Sequence, residues 1–173
     1  MTKAVFCIAQ SAVQTEVIVS DLKTAGFSNN DISVLFPDKG STRDFAHEKH
    51  TKAPEGAAIG GAVGIGTGAV LGWLAGIGSL AIPGVGPFVA AGPIMGALSG
   101  AAVGAATGGL SGALIGLGIP EYEAKRYEGK IKGGNALISV HTTSSEAIGQ
   151  AKEIFERAHA EDISSTGEAS VTA

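Results

Sequence analysis

The sequence has no Asp, Glu, Lys, Arg, His, Asn or Gln between Gly56 and Pro120. Its 12 basic and 16 acidic residues all lie outside that stretch, so the net charge of −4 averages two unlike parts. The flanks have the polarity of a water-facing domain. The middle offers only the hydroxyls of Thr67, Ser79, Ser99, Thr107 and Ser111.

Other absences narrow the function. A single cysteine, Cys7, excludes an internal disulfide, and its setting AVFCIA reads as a buried strand thiol. No large basic patch is present, so nucleic acid is not expected as a partner. The apolar run Ala4–Ala9 is too short for a signal-peptide core, which predicts a cytoplasmic N-terminus. A phosphate loop is excluded because the glycine-rich region holds no lysine. Reading Gly64, Gly66 and Gly68 as a dinucleotide fingerprint fails at Ala69, and Ser111 lacks the GxSxG frame. CxxC and HExxH are missing, and Phe6 alone does not make an RNA-stacking sheet. No catalytic residue, cofactor or metal is expected. The nearest approach to a ligand set, Asp44, His47, Glu48 and His50, reads better as a solvated linker. A metal or enzymatic role through His47, His50 and His141 is the least favoured reading.

What is present is a ridge of glycine. Every fourth residue is glycine at Gly56, Gly60, Gly64, Gly68, Gly72 and Gly76. The count resumes at Gly92, Gly96, Gly100, Gly104, Gly108, Gly112 and Gly116. In water each helical glycine costs about 1 kcal/mol relative to alanine. In lipid, unsatisfied amides enforce helix and small residues let helices approach closely. The reading is a transmembrane glycine-zipper helical hairpin over residues 56–118, with its turn at 82–91 built on Pro83, Gly84, Gly86 and Pro87. Residues 56–80 would form about 37 Å of helix and 92–118 about 40 Å, against a hydrocarbon core of about 30 Å. Trp73, Tyr122 and Tyr127 are candidates for the membrane interface, although both tyrosines also suit packing on a sheet. Each glycine advances about 40° round a straight helix, so the ridge exceeds what one partner covers and predicts a homo-oligomer.

The flanks read as one split domain, residues 1–41 and 119–166, with a polar linker at 42–55 and a flexible tail at 167–173. Ala4–Ala9 is a continuous apolar run, as in a central strand. Ser11 and Gln14 suggest a capping box for a helix that ends at Gly26, and DISVLF at 31–36 a second strand. Ala136–Thr142 reads as a strand, Thr143 and Glu146 as another capping box, and 161–166 as a fourth strand. Ala147, Ile148, Ala151, Ile154, Phe155 and Ala158 make the buried stripe of the intervening helix. The expected fold is α+β: a ferredoxin-like βαβ–βαβ sandwich with the hydrophobic hairpin inserted between strands 2 and 3.

The turn IPGVGP (Ile82–Pro87), the run GIPEYEAKRYEGKIKGGNALISVH (Gly118–His141) and the glycine ridge together resemble a bacterial general-stress-protein family. Its members are heat- or low-temperature-induced or described as membrane proteins of unknown function. The resemblance spans about residues 3 to 158. It implies a split α/β domain with a glycine-rich insert, a stress context, and no active site to transfer. The expectation is a non-enzymatic, membrane-anchored stress-response protein with a structural, scaffolding or membrane-stabilising role. Its predicted location is the bacterial inner membrane, with the lipid bilayer as partner and both termini cytoplasmic. Alternatives are a small-ligand-sensing module anchored by the hairpin and a pore-forming oligomer.

Overall fold

The computed structural model of the chain describes residues 3–37, 78–82, 86–94 and 102–167. It is an α+β protein with an antiparallel sheet. The elements in chain order are β1 (Lys3–Ala9), α1 (Ala12–Thr24), β2 (Ile32–Pro37), β3 (Gly78–Ile82) and β4 (Gly86–Ala91). They continue with α2 (Ala102–Gly116), α3 (Glu121–Lys132), β5 (Ala136–Thr142), α4 (Ser145–Arg157) and β6 (Glu161–Gly167). The strands lie in the order β3-β4-β2-β5-β1-β6, and every neighbouring pair is antiparallel.

Local chemistry explains the helix ends. Ser11 caps α1 by accepting the Gln14 N–H at 3.1 Å. The Gln14 side chain accepts from the Gln10 N–H and donates to the carbonyls of Ala158 and His159, tying the start of α1 to the end of α4. Gly26 follows the last turn with φ +98, the left-handed cap that glycine takes without strain. The cap of α4 is Ser144, one residue after the expected Thr143. Its hydroxyl accepts from the Ala147 N–H and donates to Glu146.

Period two divides the sheet residues between two cores. On one face Val5, Cys7, Ile32, Val34, Ile138 and Val140 pack against Ile18, Val19 and Leu22 of α1 and Ala151, Ile154 and Phe155 of α4. On the other, Ala4, Phe6, Ile8, Leu35 and Leu137 meet Leu110, Ala113 and Leu114 of α2 and Ala124, Tyr127 and Ile131 of α3. Residues Ala4–Ala9 are therefore buried without a break. An antiparallel sheet covered on one side alternates apolar and polar residues; this one is covered on both.

The described residues do not form the expected bilayer-spanning hairpin. Residues 78–80, assigned to its first helix, belong to strand β3, and most of the 82–91 turn is strand β4. Gly86 and Pro87 pair with Ile82 and Ala81, and β4 continues onto β2. Helix α2 has 15 residues, about 22 Å, short of a core of about 30 Å. Its axis is interrupted at Gly109, whose φ 60 and ψ −148 lie in a region open essentially to glycine alone. Among the described residues no helix is long and apolar enough to cross a membrane. That finding overturns the expected transmembrane and membrane assignments and the inner-membrane location that depends on them. Gly56 to Gly76, Trp73, Pro83, Gly84, Gly96, Gly100 and the 42–55 linker lie outside the described residues.

A helix resting on the sheet has one costly face. Leu114→Ala, at a fully buried position, is expected to lower unfolding free energy by about 2–5 kcal/mol. Ile115→Ala, beside it and 42% exposed, is expected to change it by no more than about 0.5 kcal/mol. Urea unfolding of the two variants reads the difference directly, and equal losses would contradict the packing described.

Candidate functional site

Two polar clusters are built into the face covered by α2 and α3. The first joins α3 to the edge strand β6. The pairing of β1 with β6 slips between Phe6 and Ile8, and Asp162 takes φ 48 at this irregularity. That geometry turns groups of β6 toward α3. Tyr127 has one hydroxyl proton to place, between the Asp162 carbonyl at 2.9 Å and Ser164 Oγ at 2.8 Å. The Ser164 hydroxyl donates in turn to Glu123 Oε2 at 2.8 Å. Arg126 donates to Asp162 Oδ1 at 2.9 Å and to the Tyr122 hydroxyl at 2.6 Å, its guanidinium standing 4.7 Å over the Tyr122 ring. Lys130 lies 3.0 Å from Asp162 Oδ2 and also pairs with Glu161, which accepts from Gln10.

Burial pushes the Tyr127 phenol up to about 12, and the nearby Glu123 and Asp162 carboxylates reinforce the shift. At neutral pH Tyr127 is thus a proton donor that anchors β6. A nucleophilic or basic role needs the phenolate, which this environment disfavours.

The second cluster sits where β2 faces β5. Ser33 and Ser139 are directly opposite each other and fully buried. His141 Nε2 lies 2.8 Å from Ser139 Oγ and 3.3 Å from Ser33 Oγ, while Ser33 Oγ accepts the Ile94 N–H at 3.0 Å. The Phe6 ring meets the imidazole edge-on at 6.4 Å. A serine touching a histidine is half of a nucleophile–base pair. Here both hydroxyls are sealed from solvent, and one already holds the backbone that follows β4. The arrangement fastens the segment to the sheet.

Nearby, Gly92 permits the chain to leave β4. It has φ +84, and a Cβ there would stand 2.0 Å from the Ile32 carbonyl oxygen. On the neighbouring helices, Glu128 accepts the Ser111 N–H at 3.1 Å, just after the break at Gly109, and pairs with Lys132 at 2.6 Å. The carboxylate therefore takes up an amide close to the interruption of α2. Burial opposes ionisation of Glu128, but the hydrogen bonds from Lys132 and Ser111 outweigh it and hold the carboxyl below its ordinary value.

The predicted site residues are not gathered in one place. Gly104, Gly108, Gly112 and Gly116 lie along α2, but the fully buried positions named there are Leu110, Ala113 and Leu114. Gly116 is exposed. Tyr122 is 72% exposed, whereas Tyr127 is 1% exposed with its ring 6.3 Å from Phe6. They share a helix but not an environment. Asp44, His47, Glu48 and His50 lie outside the described residues. Among the described residues no group of three His, Cys, Asp or Glu is placed to hold a metal. The Ser33–Ser139–His141 and Tyr127–Ser164–Glu123 clusters were missed from sequence. Their only linear signal is a hydroxyl amid apolar strand residues, as in DISVLF and ALISVH.

No known protein family, curated protein or solved structure matches the chain.

Two outcomes check these clusters. In a Tyr122→Phe variant Tyr127 is the sole tyrosine, and its phenolate absorbance is expected to appear with a midpoint of about 12. Because the folded value is raised, the stabilisation from the neutral phenol is complete below the unfolded value of about 10 and is lost as pH rises from there through the folded value. A midpoint at the ordinary value would contradict the buried network. Ser33→Ala leaves the Ile94 N–H without its acceptor and is expected to cost about 1–3 kcal/mol in chemical denaturation.

Proposed function

We propose that this chain is a non-enzymatic, self-associating structural module of the bacterial stress response, built on a ferredoxin-like arrangement. The strand order supports the arrangement: β5 lies between β2 and β1, and β1 lies between β5 and β6. The connections β1–α1–β2 and β5–α4–β6 are thus interleaved split βαβ units with α1 and α4 on one face. The residues between β2 and β5 supply the sheet extension and the second helical layer.

One observation carries the non-enzymatic reading. The side chains best suited to chemistry, Tyr127, Ser139, His141 and Ser33, are engaged by neighbours in contacts that hold elements of the fold together. The resemblance to general stress proteins gives the context. A ligand-sensing role is the second reading. A groove of about 430 Å³ between the end of α1 and α4, lined by Ala25, Gln150, Glu153, Ile154, Glu156 and Arg157, favours it.

Native mass spectrometry of the full chain, with and without a panel of small metabolites, separates the two. Oligomers without bound metabolite are the expected result. A monomer that retains a small molecule would favour the sensor instead.

A further inference from the structure

We infer that α2 is a hinged helix with two arrangements. One is the broken helix described above. In the other, Gly109 turns helical, α2 straightens, and the Ser111 amide passes from Glu128 to the carbonyl of Thr107. The inference stands independently of the self-association reading.

Gly109 is the one residue of the 15 in α2 whose dihedrals are not helical. It is also the glycine of that helix that falls outside the period of four set by Gly104, Gly108, Gly112 and Gly116. Neither proline nor charge interrupts residues 102–116, so nothing local forbids a continuous helix. The break needs φ 60 with ψ −148, a combination that a side chain disfavours. A continuous helix needs about −63° and −42°, which glycine reaches as readily. Two dihedrals of a single residue therefore separate the arrangements. Hinges are built in this way, from a few positions that absorb a large backbone change.

The Ser111 amide records which arrangement is present. A continuous helix donates it to the carbonyl four residues back, at Thr107. In the broken helix it is among the first amides after the restart, which have no partner within their own helix. Glu128 of α3 accepts it there at 3.1 Å. Straightening exchanges that bond for another and strands no charge, because Lys132 on the same helix stays bonded to Glu128 at 2.6 Å. The charge-assisted bond favours the broken form, whereas the recovered backbone ladder favours the straight one.

The residues after the hinge are held in place. Leu110, Ala113 and Leu114 pack in the core beneath α2. Helix α2 also lies against α3 and β3. Straightening about Gly109 re-aims residues 102–108 relative to the sheet while Leu110, Ala113 and Leu114 stay seated. The second layer thus changes its cover without the sheet unfolding.

Nuclear magnetic resonance of the full chain tests this through carbon shifts at residue 109 and relaxation dispersion at residues 107–112. The expected result is a broken major form in exchange with a minor one whose Gly109 shifts are helical. Glu128→Gln keeps the shape of the side chain but removes its charge, and is expected to raise the minor population about fivefold or more. Glu121→Gln, which removes the exposed pair with Lys125 on the same helix, is expected to leave it unaltered. Gly109→Ala disfavours the break. It is expected to make the straight form the major one, with its Ser111 amide indifferent to a further Glu128→Gln change. Circular dichroism and thermal melting verify that each variant folds. No exchange at residues 107–112 in either the original chain or Glu128→Gln would overturn the hinge. So would a minor form with unfolded shifts, an equal response to Glu121→Gln, or a Gly109→Ala chain that cannot fold.

Discussion

Strand β1 is buried on both of its faces, and the need to cover the second face dictates how the remaining elements are arranged. Helices α1 and α4 cover Val5 and Cys7. They cannot reach Ala4, Phe6 and Ile8, which point the other way. Each large apolar side chain left in water would forfeit about 1.5–3 kcal/mol. Helices α2 and α3, reached through the chain between β2 and β5, provide that cover. The glycine-rich region thus contributes to the core it interrupts in sequence.

Placing a helix so close to a sheet brings backbone constraints that polar side chains resolve. Gly109 interrupts α2, and Glu128 of α3 takes up the Ser111 amide beside the break. Gly92 lets the chain turn off β4 against the Ile32 carbonyl, and Ser33 receives the next buried amide. His141 and Ser139 complete that contact. At the far edge, Tyr127 and Ser164 hold the irregular start of β6 to α3. Both polar clusters serve docking of the second layer, which is why they favour a structural reading over a catalytic one.

Why a membrane hairpin was expected is equally physical. A long uncharged apolar segment satisfies a lipid bilayer and a protein interior alike. Hydropathy registers the removal from water, not the material that replaces it. The decisive signal was in another segment. Ala4–Ala9 is continuously apolar, and Leu35 and Leu137 occupy the face that one helical layer leaves open. Two-sided burial of an antiparallel strand calls for a second protein layer. The β3–β4 hairpin was hidden because GPFVAA opens on Gly86 and Pro87, which were expected to form a turn between helices, and most of GSLAI was read as the end of the first helix.

The local elements of the two ends were legible along the chain: β1, α1, β2, β5, α4 and β6, with glycine and hydroxyl caps close to their observed places. Strand burial and capping depend on residues a few positions apart, so they can be read along the chain. Long-range packing set the joining of β4 to β2, the seating of α2 on the sheet through Leu110 and Leu114, and the meeting of Ser33, Ser139 and His141. Those outcomes depend on pairings between residues as far apart as Ser33 and His141, whose separation of 108 positions leaves no local trace. A glycine period records that neighbours can come close. Which neighbour arrives is settled by the face that most needs covering.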